Sequence, residues 1–194
     1  GSSSLDSAII NMAQSFKNNM ALLQEDGQFG SLRSPEAGAP RYIGTKLDKN
    51  FRMLYKDFEL LDYKEEEGQT IEPRFFLPII PTVLINGSSG IAVGFSSNIL
   101  NRNPIDIITA CENLVRNKKI GEINPFIPSF SGTYLQDQEN SKRWIIRGKV
   151  QVQNTTTVKI TELPPSMTFE KYESILDDLI DKKVIVSYDD NCKD

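Results

Sequence analysis

A mixed α+β fold is what this sequence predicts, on three observations. Apolar residues recur at helical spacing near its start and in two later stretches. Between Ser131 and Leu163 the pattern changes to short alternating runs rich in Val, Ile and Thr, which suit a pleated, half-buried surface. Segments bearing glycine and proline punctuate the chain between these stretches.

The opening Gly1-Ser2-Ser3-Ser4 reads as a remnant of expression and is set apart from the fold. Leu5, Ala8, Ile9, Met12, Ala13 and Phe16 predict a helix over 5–18, with Asn18-Asn19 as its stop. A loop from Gln24 to Pro40 follows, carrying Gly27, Gly30, Pro35, Gly38 and Pro40; a loop this long in a compact domain points to function. Arg41 to Leu47 predicts a short strand, and Lys49 to Leu61 a helix. Pro78 and Pro81 interrupt the apolar run that begins at Phe75, because proline lacks the amide that regular structure needs. Thr82 to Ile85 predicts a short strand ended by a turn at Asn86-Gly87-Ser88-Ser89-Gly90. Pro104 suits the first position of a helix reaching Asn117. Strands are expected over 131–135, 143–153 and 155–163, with Asn154 at a hairpin turn. Pro164-Pro165 closes that region, Thr168 caps a helix from Phe169 to Asp181, and Val184 to Tyr188 reads as a last strand. The change in style near residue 60 suggests two parts, 5–60 and 61–194.

Composition narrows the chemistry. The chain has 194 residues, 39% hydrophobic and 25% charged, in the range of globular proteins. No apolar run approaches a membrane span and no signal peptide is visible, so a cytoplasmic setting is expected. Two distant cysteines, Cys111 and Cys192, lack metal-ligand spacing and fit a reducing compartment. Histidine is absent, which removes Ser-His, Cys-His and histidine-ligated metal chemistry together. Any catalysis must draw on Tyr, Arg, Lys or carboxylates, or on groups from another chain.

The net charge of −4 does not announce a nucleic-acid binder, but its distribution is uneven. From Arg41 to Lys56, five basic residues (Arg41, Lys46, Lys49, Arg52, Lys56) face one acid, Asp48, a local net of +4. Taken alone, that cluster is as much a solvated face as a binding patch. The acidic runs Glu65-Glu66-Glu67 and Asp189-Asp190 with Asp194 are read as solvated, and no metal ligands are assigned.

The informative stretch is Gly27-Gln28-Phe29-Gly30-Ser31-Leu32-Arg33, then Ala39-Pro40-Arg41-Tyr42-Ile43. Most tyrosines are packing residues with a surface hydroxyl. Here a glycine-bearing loop allows close backbone approach to a ligand, and basic residues surround the phenol. A phenol of pKa near ~10 is a poor nucleophile at neutral pH. A neighbouring guanidinium favours its ionised form and also grips phosphate through a planar fork of donors. Tyr beside Arg therefore suits attack on a phosphodiester, giving a phosphotyrosine that conserves the energy of the broken bond.

Those residues carry a resemblance. Asn19-Met20-Ala21-Leu22-Leu23, Gly27-Gln28-Phe29-Gly30-Ser31 and Pro40-Arg41-Tyr42-Ile43 resemble the winged-helix (CAP-like) region of the type IIA DNA topoisomerases, in their DNA-cleaving subunit. The stretch from Leu77 through Pro81, Asn86 and Gly90 to Gly94 resembles the start of that family's tower domain. Two motifs in the right order make the likeness specific, and the compact loop before Tyr42 resembles the T-even phage branch more than the bacterial gyrase branch. The resemblance implies a truncated winged-helix part followed by a mixed α/β tower with an antiparallel-rich sheet. It implies that Tyr42 links to DNA, that Arg41 stabilises the transition state, and that Ile91 wedges between base pairs; without it Ile91 reads as a core residue. Arg33 and Lys46 are expected to neutralise phosphates. The full enzyme would be a homodimer acting on double-stranded DNA, with Mg2+ and ATP bound by TOPRIM and ATPase domains outside this chain. By itself the chain is expected to be inactive and to form no stable dimer. The pattern Ser34-Pro35-Glu36-Ala37-Gly38-Ala39-Pro40 departs from the Gly-Gly-x-Asp-Ala-Ala type of the gyrase-like members. A DNA-bending module keeping the wedge and the basic cluster but no chemistry is the alternative, although such a module has no need of Tyr42 beside Arg41.

Overall fold

The computed structural model describes residues 1–192; the expected acid at Asp194 lies outside them. The chain divides into two compact units. Unit 1 comprises residues 1–29 and 37–128, and unit 2 comprises 30–36 and the residues from Ser129 onward.

Unit 1 opens with α1 (Ser2–Ala13), so the serines set apart at the start are part of the helix. It ends earlier than its apolar spacing suggests because Gln14 turns extended, at ψ 108°. The stop expected at Asn18-Asn19 thus comes at Gln14, and the Asn18 side-chain amide, beyond the helix end, donates to the carbonyls of Asn11 and Gln14 at 2.7 and 2.8 Å. Strands β1 (Leu23–Asp26) and β2 (Gly44–Leu47) pair antiparallel from Leu23 opposite Leu47 to Asp26 opposite Gly44. Asp48 caps α2 (Lys49–Leu54), accepting from the Asn50 amide at 2.8 Å. That helix stops short of Leu61 because Tyr55 is extended, while the Leu54 carbonyl accepts from the Ile79 amide at 2.8 Å.

The hairpin of β3 (Tyr63–Glu66) and β4 (Gln69–Pro73) carries the acidic run at its turn. Thr82 to Ile85, expected as a strand, lies in a short helix, α3 (Thr82–Asn86). A four-residue apolar run is ambiguous by periodicity. Its backbone is satisfied without a ladder: the Leu84 amide bonds the Pro81 carbonyl, and the Ile85 carbonyl accepts from Arg102 and from the Asn19 side chain. Gly87, at φ +71°, ends the helix. A hairpin of β5 (Ser88–Ala92) and β6 (Phe95–Ile99) then stands where only a turn was expected, with Gly94 at φ +76° at its tip. Helix α4 (Pro104–Val115) starts at Pro104 as its sequence indicates, and the Asn103 side chain caps it. Ala13, Phe29, Leu54, Ile85 and Ile107 form the buried core of this unit.

In unit 2, β7 (Thr133–Gln136) pairs with β8 (Trp144–Arg147), and β9 (Lys149–Val152) with β10 (Val158–Glu162). The single strand expected over 143–153 is divided at Gly148, where a Cβ would collide with the Glu162 carbonyl. Thr168 caps α5 (Phe169–Asp181), accepting from the Lys171 amide. No strand forms at Val184–Tyr188. Lys183 sits at φ +57°, and the Val184 amide folds back to the Leu179 carbonyl at 2.9 Å. Alternation alone cannot make a strand without an edge to pair with. Among the described residues all named strand pairs are antiparallel hairpins, so the class is mixed α+β with antiparallel pairing.

Candidate nucleic-acid site around Tyr42

Tyr42 ends a single 3-10 turn, Pro40–Tyr42, at the close of the long loop joining β1 to β2. Pro40 fixes the start of that turn and holds Ala39 extended before it. The Tyr42 amide donates to the Ala39 carbonyl at 2.9 Å. The neck of the loop is closed by the Gly38 amide on the Gln28 carbonyl, also at 2.9 Å. Gly27 explains part of the glycine pattern. At φ +107° it lies where a Cβ would be 3.1 Å from Ile43 Cγ2 and 3.4 Å from the Tyr42 carbonyl oxygen. The backbone beside Tyr42 is thus pressed against the end of β1.

The side chain points away from this packing: Tyr42 is 74% exposed. The Arg41 guanidinium lies over its ring, 4.7 Å from the centroid. All five basic residues from Arg41 to Lys56 are exposed, and among the described residues none enters an ion pair. The one acid among them is spent elsewhere. Asp48 gives Oδ1 to the start of α2 and Oδ2 to the Gln24 side chain at 3.1 Å. The result is an unneutralised basic surface beside an exposed phenol, suited to a long anionic chain rather than to an enclosed small molecule. Lys46, opposite Gln24 on β2, belongs to that surface.

Ile91 is not a core residue. It sits on β5 opposite Ser96 and is 92% exposed, and Val93 and Phe95 at the same tip are 100% and 81% exposed. Three large apolar side chains in water at the end of a two-stranded hairpin mark a contact surface.

Two asparagines whose roles went unread join the stretch before β1 to the segments that flank this hairpin. Asn86, the last residue of α3, makes a two-pronged clamp on the Met20 backbone: Oδ1 accepts from the amide and Nδ2 donates to the carbonyl, both at 2.8 Å. Asn19 Nδ2 donates to the carbonyls of Ile85, Arg102 and Phe126 at 2.7–3.0 Å. The two motif stretches thus meet in space. Arg102 supports the knot from within, its guanidinium donating to the carbonyls of Leu100, Asn101 and Ile123, and burial lowers its pKa. Asparagine in an apolar neighbourhood was the available signal, since a buried amide needs partners.

Arg33 lies in unit 2, where its guanidinium forms an ion pair with Asp190 at 2.9 Å and donates to the Cys192 carbonyl at 3.0 Å. Among the described residues no group of three or more His, Cys, Asp or Glu side chains could hold a metal ion. No helix is long and apolar enough to cross a membrane.

The whole chain, residues 1–194, matches the family model for the A subunit of DNA gyrase/topoisomerase IV. It is 40% identical over 187 residues to DNA topoisomerase 2 of Arabidopsis thaliana, covering 92% of this chain and 13% of that protein. It is 35% identical over 192 residues to the DNA topoisomerase medium subunit of Enterobacteria phage T4, covering 99% of this chain and 42% of that subunit. A crystal structure of the Plasmodium falciparum topoisomerase II DNA-binding, cleavage and re-ligation domain superposes with a TM-score of 0.91 at 37% identity. That match covers all of this chain and 27% of the other. The chain therefore spans less than half the length of each of these relatives.

Proposed function

Because the chain belongs to the DNA gyrase/topoisomerase IV A-subunit family, we propose that it is a piece of the breakage-reunion subunit of an ATP-dependent type II DNA topoisomerase. The observation that carries this reading is the exposed Tyr42 under the Arg41 guanidinium, on a basic surface whose five cations enter no ion pair among the described residues. In the proposed step the Tyr42 oxygen attacks a backbone phosphorus, and its proton leaves to solvent or a base. The bond to the 3′-oxygen of the preceding nucleotide breaks, leaving a 5′-phosphotyrosine link and a free 3′-hydroxyl. Resealing reverses the exchange, with the 3′-hydroxyl as attacking group, so no bond energy is lost. Arg41 supplies positive charge where the phosphoryl oxygens gain negative charge. Lys46 neutralises a phosphate along the track. Ile91, borne on its hairpin, enters a base step and bends the duplex, trading stacking for wider contact.

In this reading the β1–β2 hairpin with its long loop is the wing of a winged-helix part, and the later hairpins belong to a tower. Among the described residues no group of three or more acidic, His or Cys side chains is placed to hold a magnesium ion. Mg2+ and ATP are assigned to TOPRIM and ATPase domains of the parent, which would work in the cytoplasm as a homodimer on double-stranded DNA. Without those domains the isolated chain is proposed to be inactive.

The test uses the full-length parent with its partner domains and magnesium, incubated with end-labelled duplex and stopped with detergent. Wild type is expected to yield protein-linked DNA and Tyr42→Phe none. An adduct that survives in Tyr42→Phe refutes the site. Absence of any adduct from a wild type that still binds and bends DNA refutes the chemistry.

A further inference from the structure

Within unit 1, both legs of the hairpin that carries Ile91 are fastened to one short segment, residues 17–22. On the leg entering β5, Asn86 exchanges its two hydrogen bonds with the Met20 backbone. On the leg leaving β6, Asn101 Nδ2 donates to the Lys17 carbonyl at 2.9 Å, and Asn19 Nδ2 donates to the Arg102 carbonyl at 2.7 Å. Asn19 reaches the first leg as well, through the Ile85 carbonyl at 3.0 Å. The legs also close on each other. The Arg102 amide donates to the Ile85 carbonyl at 3.3 Å, and a Cβ on Gly87 would stand 2.6 Å from Asn101 Oδ1. Amide side chains suit this place, because they satisfy backbone groups that no strand ladder reaches.

The far end of the same segment is held by the elements around Tyr42. The Ala21 carbonyl accepts from Asn50 Nδ2 at 3.0 Å, and the Leu22 carbonyl accepts from the Asp48 amide at 2.9 Å. Asp48 directly follows β2, and Asn50 lies in the first turn of α2. Leu23 then begins β1, which pairs with β2, and only Ile43 separates Tyr42 from β2. Residues 17–22 are therefore bonded on one side to the base of the Ile91 hairpin and on the other to the hairpin that bears Tyr42.

Leverage makes this joint matter. Ile91 is four residues beyond Gly87, about 13 Å along a strand. A tilt of about 5° at the base moves the side chain by roughly 1 Å, a misplacement that can cost a reacting group about a hundredfold in rate. Resting on the function proposed above, we propose that Asn19, Asn86 and Asn101 are positioning residues. By locking residues 17–22 to the hairpin base they hold Ile91 at a fixed spacing from Tyr42, so that insertion of the wedge brings the scissile phosphate to the phenol. Their side chains are spent on backbone groups and make no contact with DNA. A joint that served stability alone would leave the wedge and the clamp independent of each other. A positioning joint makes the benefit of the wedge depend on the clamp.

The experiment measures single-turnover adduct formation at saturating end-labelled duplex, and DNA affinity, for the full-length parent with its partner domains and magnesium, well below its melting temperature. The variants are Asn86→Ala, Ile91→Ser, the two together, Tyr42→Phe, and Ile107→Val, which removes a buried methyl group away from the joint. Asn86→Ala is expected to slow adduct formation by roughly tenfold or more, with DNA affinity within about twofold of wild type. Ile107→Val should keep the wild-type rate. Ile91→Ser should slow the wild type, yet slow Asn86→Ala by less than about threefold further, since a wedge out of register no longer serves the phenol. Should Asn86→Ala fold poorly by thermal melting, Asn101→Ala, which loses the bond to Lys17, gives the same reading through a smaller loss of rate. Losses that multiply in the double variant overturn the joint, as do wild-type rates in both asparagine variants or an equal slowing by Ile107→Val. A fall in DNA affinity that accounts for the slower rate overturns it too. In each of these cases the Tyr42 chemistry stands if Tyr42→Phe forms no adduct. An adduct in Tyr42→Phe removes the chemistry and the joint together.

Discussion

Replacing Asn86 by alanine should loosen the joint between the stretch before β1 and the end of α3. The side chain exchanges two hydrogen bonds of 2.8 Å with one backbone residue, Met20, as a neighbouring strand would. Each such bond contributes about 1 kcal/mol net, and a polar group stranded away from water costs ~1–3 kcal/mol. Asn86 and Met20 are only half-buried, so water recovers part of that penalty. The expected loss is about 2 kcal/mol, equivalent to a fall in melting temperature of roughly 4–8 °C for a chain of this size. Thermal unfolding followed by far-ultraviolet circular dichroism reads this directly. Asn86→Asp makes the test sharper. The introduced carboxylate can still accept from the Met20 amide, but its second oxygen opposes the Met20 carbonyl. That variant should be less stable than Asn86→Ala at neutral pH and should regain stability below about pH 4, where a protonated carboxyl can donate again. A loss in Asn86→Ala below about 0.5 kcal/mol, the scale of an ordinary surface change, refutes the clamp.

Three further outcomes follow from the same geometry. Gly87→Ala should destabilise unit 1 by more than about 2 kcal/mol, since φ is +71° and the added Cβ would meet the Ile99 carbonyl and, at 2.6 Å, Asn101 Oδ1; an unchanged urea midpoint contradicts this. Ile91→Ser should alter stability by less than about 0.5 kcal/mol, as expected for an exposed position, yet reduce the DNA bend measured by fluorescence energy transfer in the assembled parent; an unchanged bend removes the wedge. Hydrogen bonds from Cys192, with further help from the Arg33 charge, hold the Asp190 carboxyl below the usual carboxylate range. A depressed carboxyl contributes stability that is present above its unfolded value and is lost as pH falls through its folded one. The Arg33–Asp190 ion pair should therefore persist through mild acid and open only below about pH 4. Amide exchange at Ser31 and Ser34, corrected for its intrinsic pH dependence, should show that step in wild type and lack it in Asp190→Asn.

Local chemistry was readable without the fold. Pro104 and Thr168 marked their helix starts because a first-turn proline and a cap act within two or three residues. The pairing of Arg41 with Tyr42 was visible as adjacency. Strand assignments failed where the deciding partner was remote. Val184 to Tyr188 alternates well but has no edge to join, and the run over 143–153 is cut at Gly148 by the approach of Glu162, distant in sequence.

By itself, then, the sequence determined the mixed α+β class, the tyrosine with its arginine, and the local excess of positive charge, because these depend on side chains within a few positions of one another. Tertiary structure alone decided that Ile91 stands in water at a hairpin tip and that Asn19 and Asn86 bind the two motif stretches into one body. It also decided that Arg33 faces Asp190 across more than 150 residues of chain. Burial and pairing are set by which remote backbone and side-chain groups come to share a volume, and no local pattern of residue types encodes that.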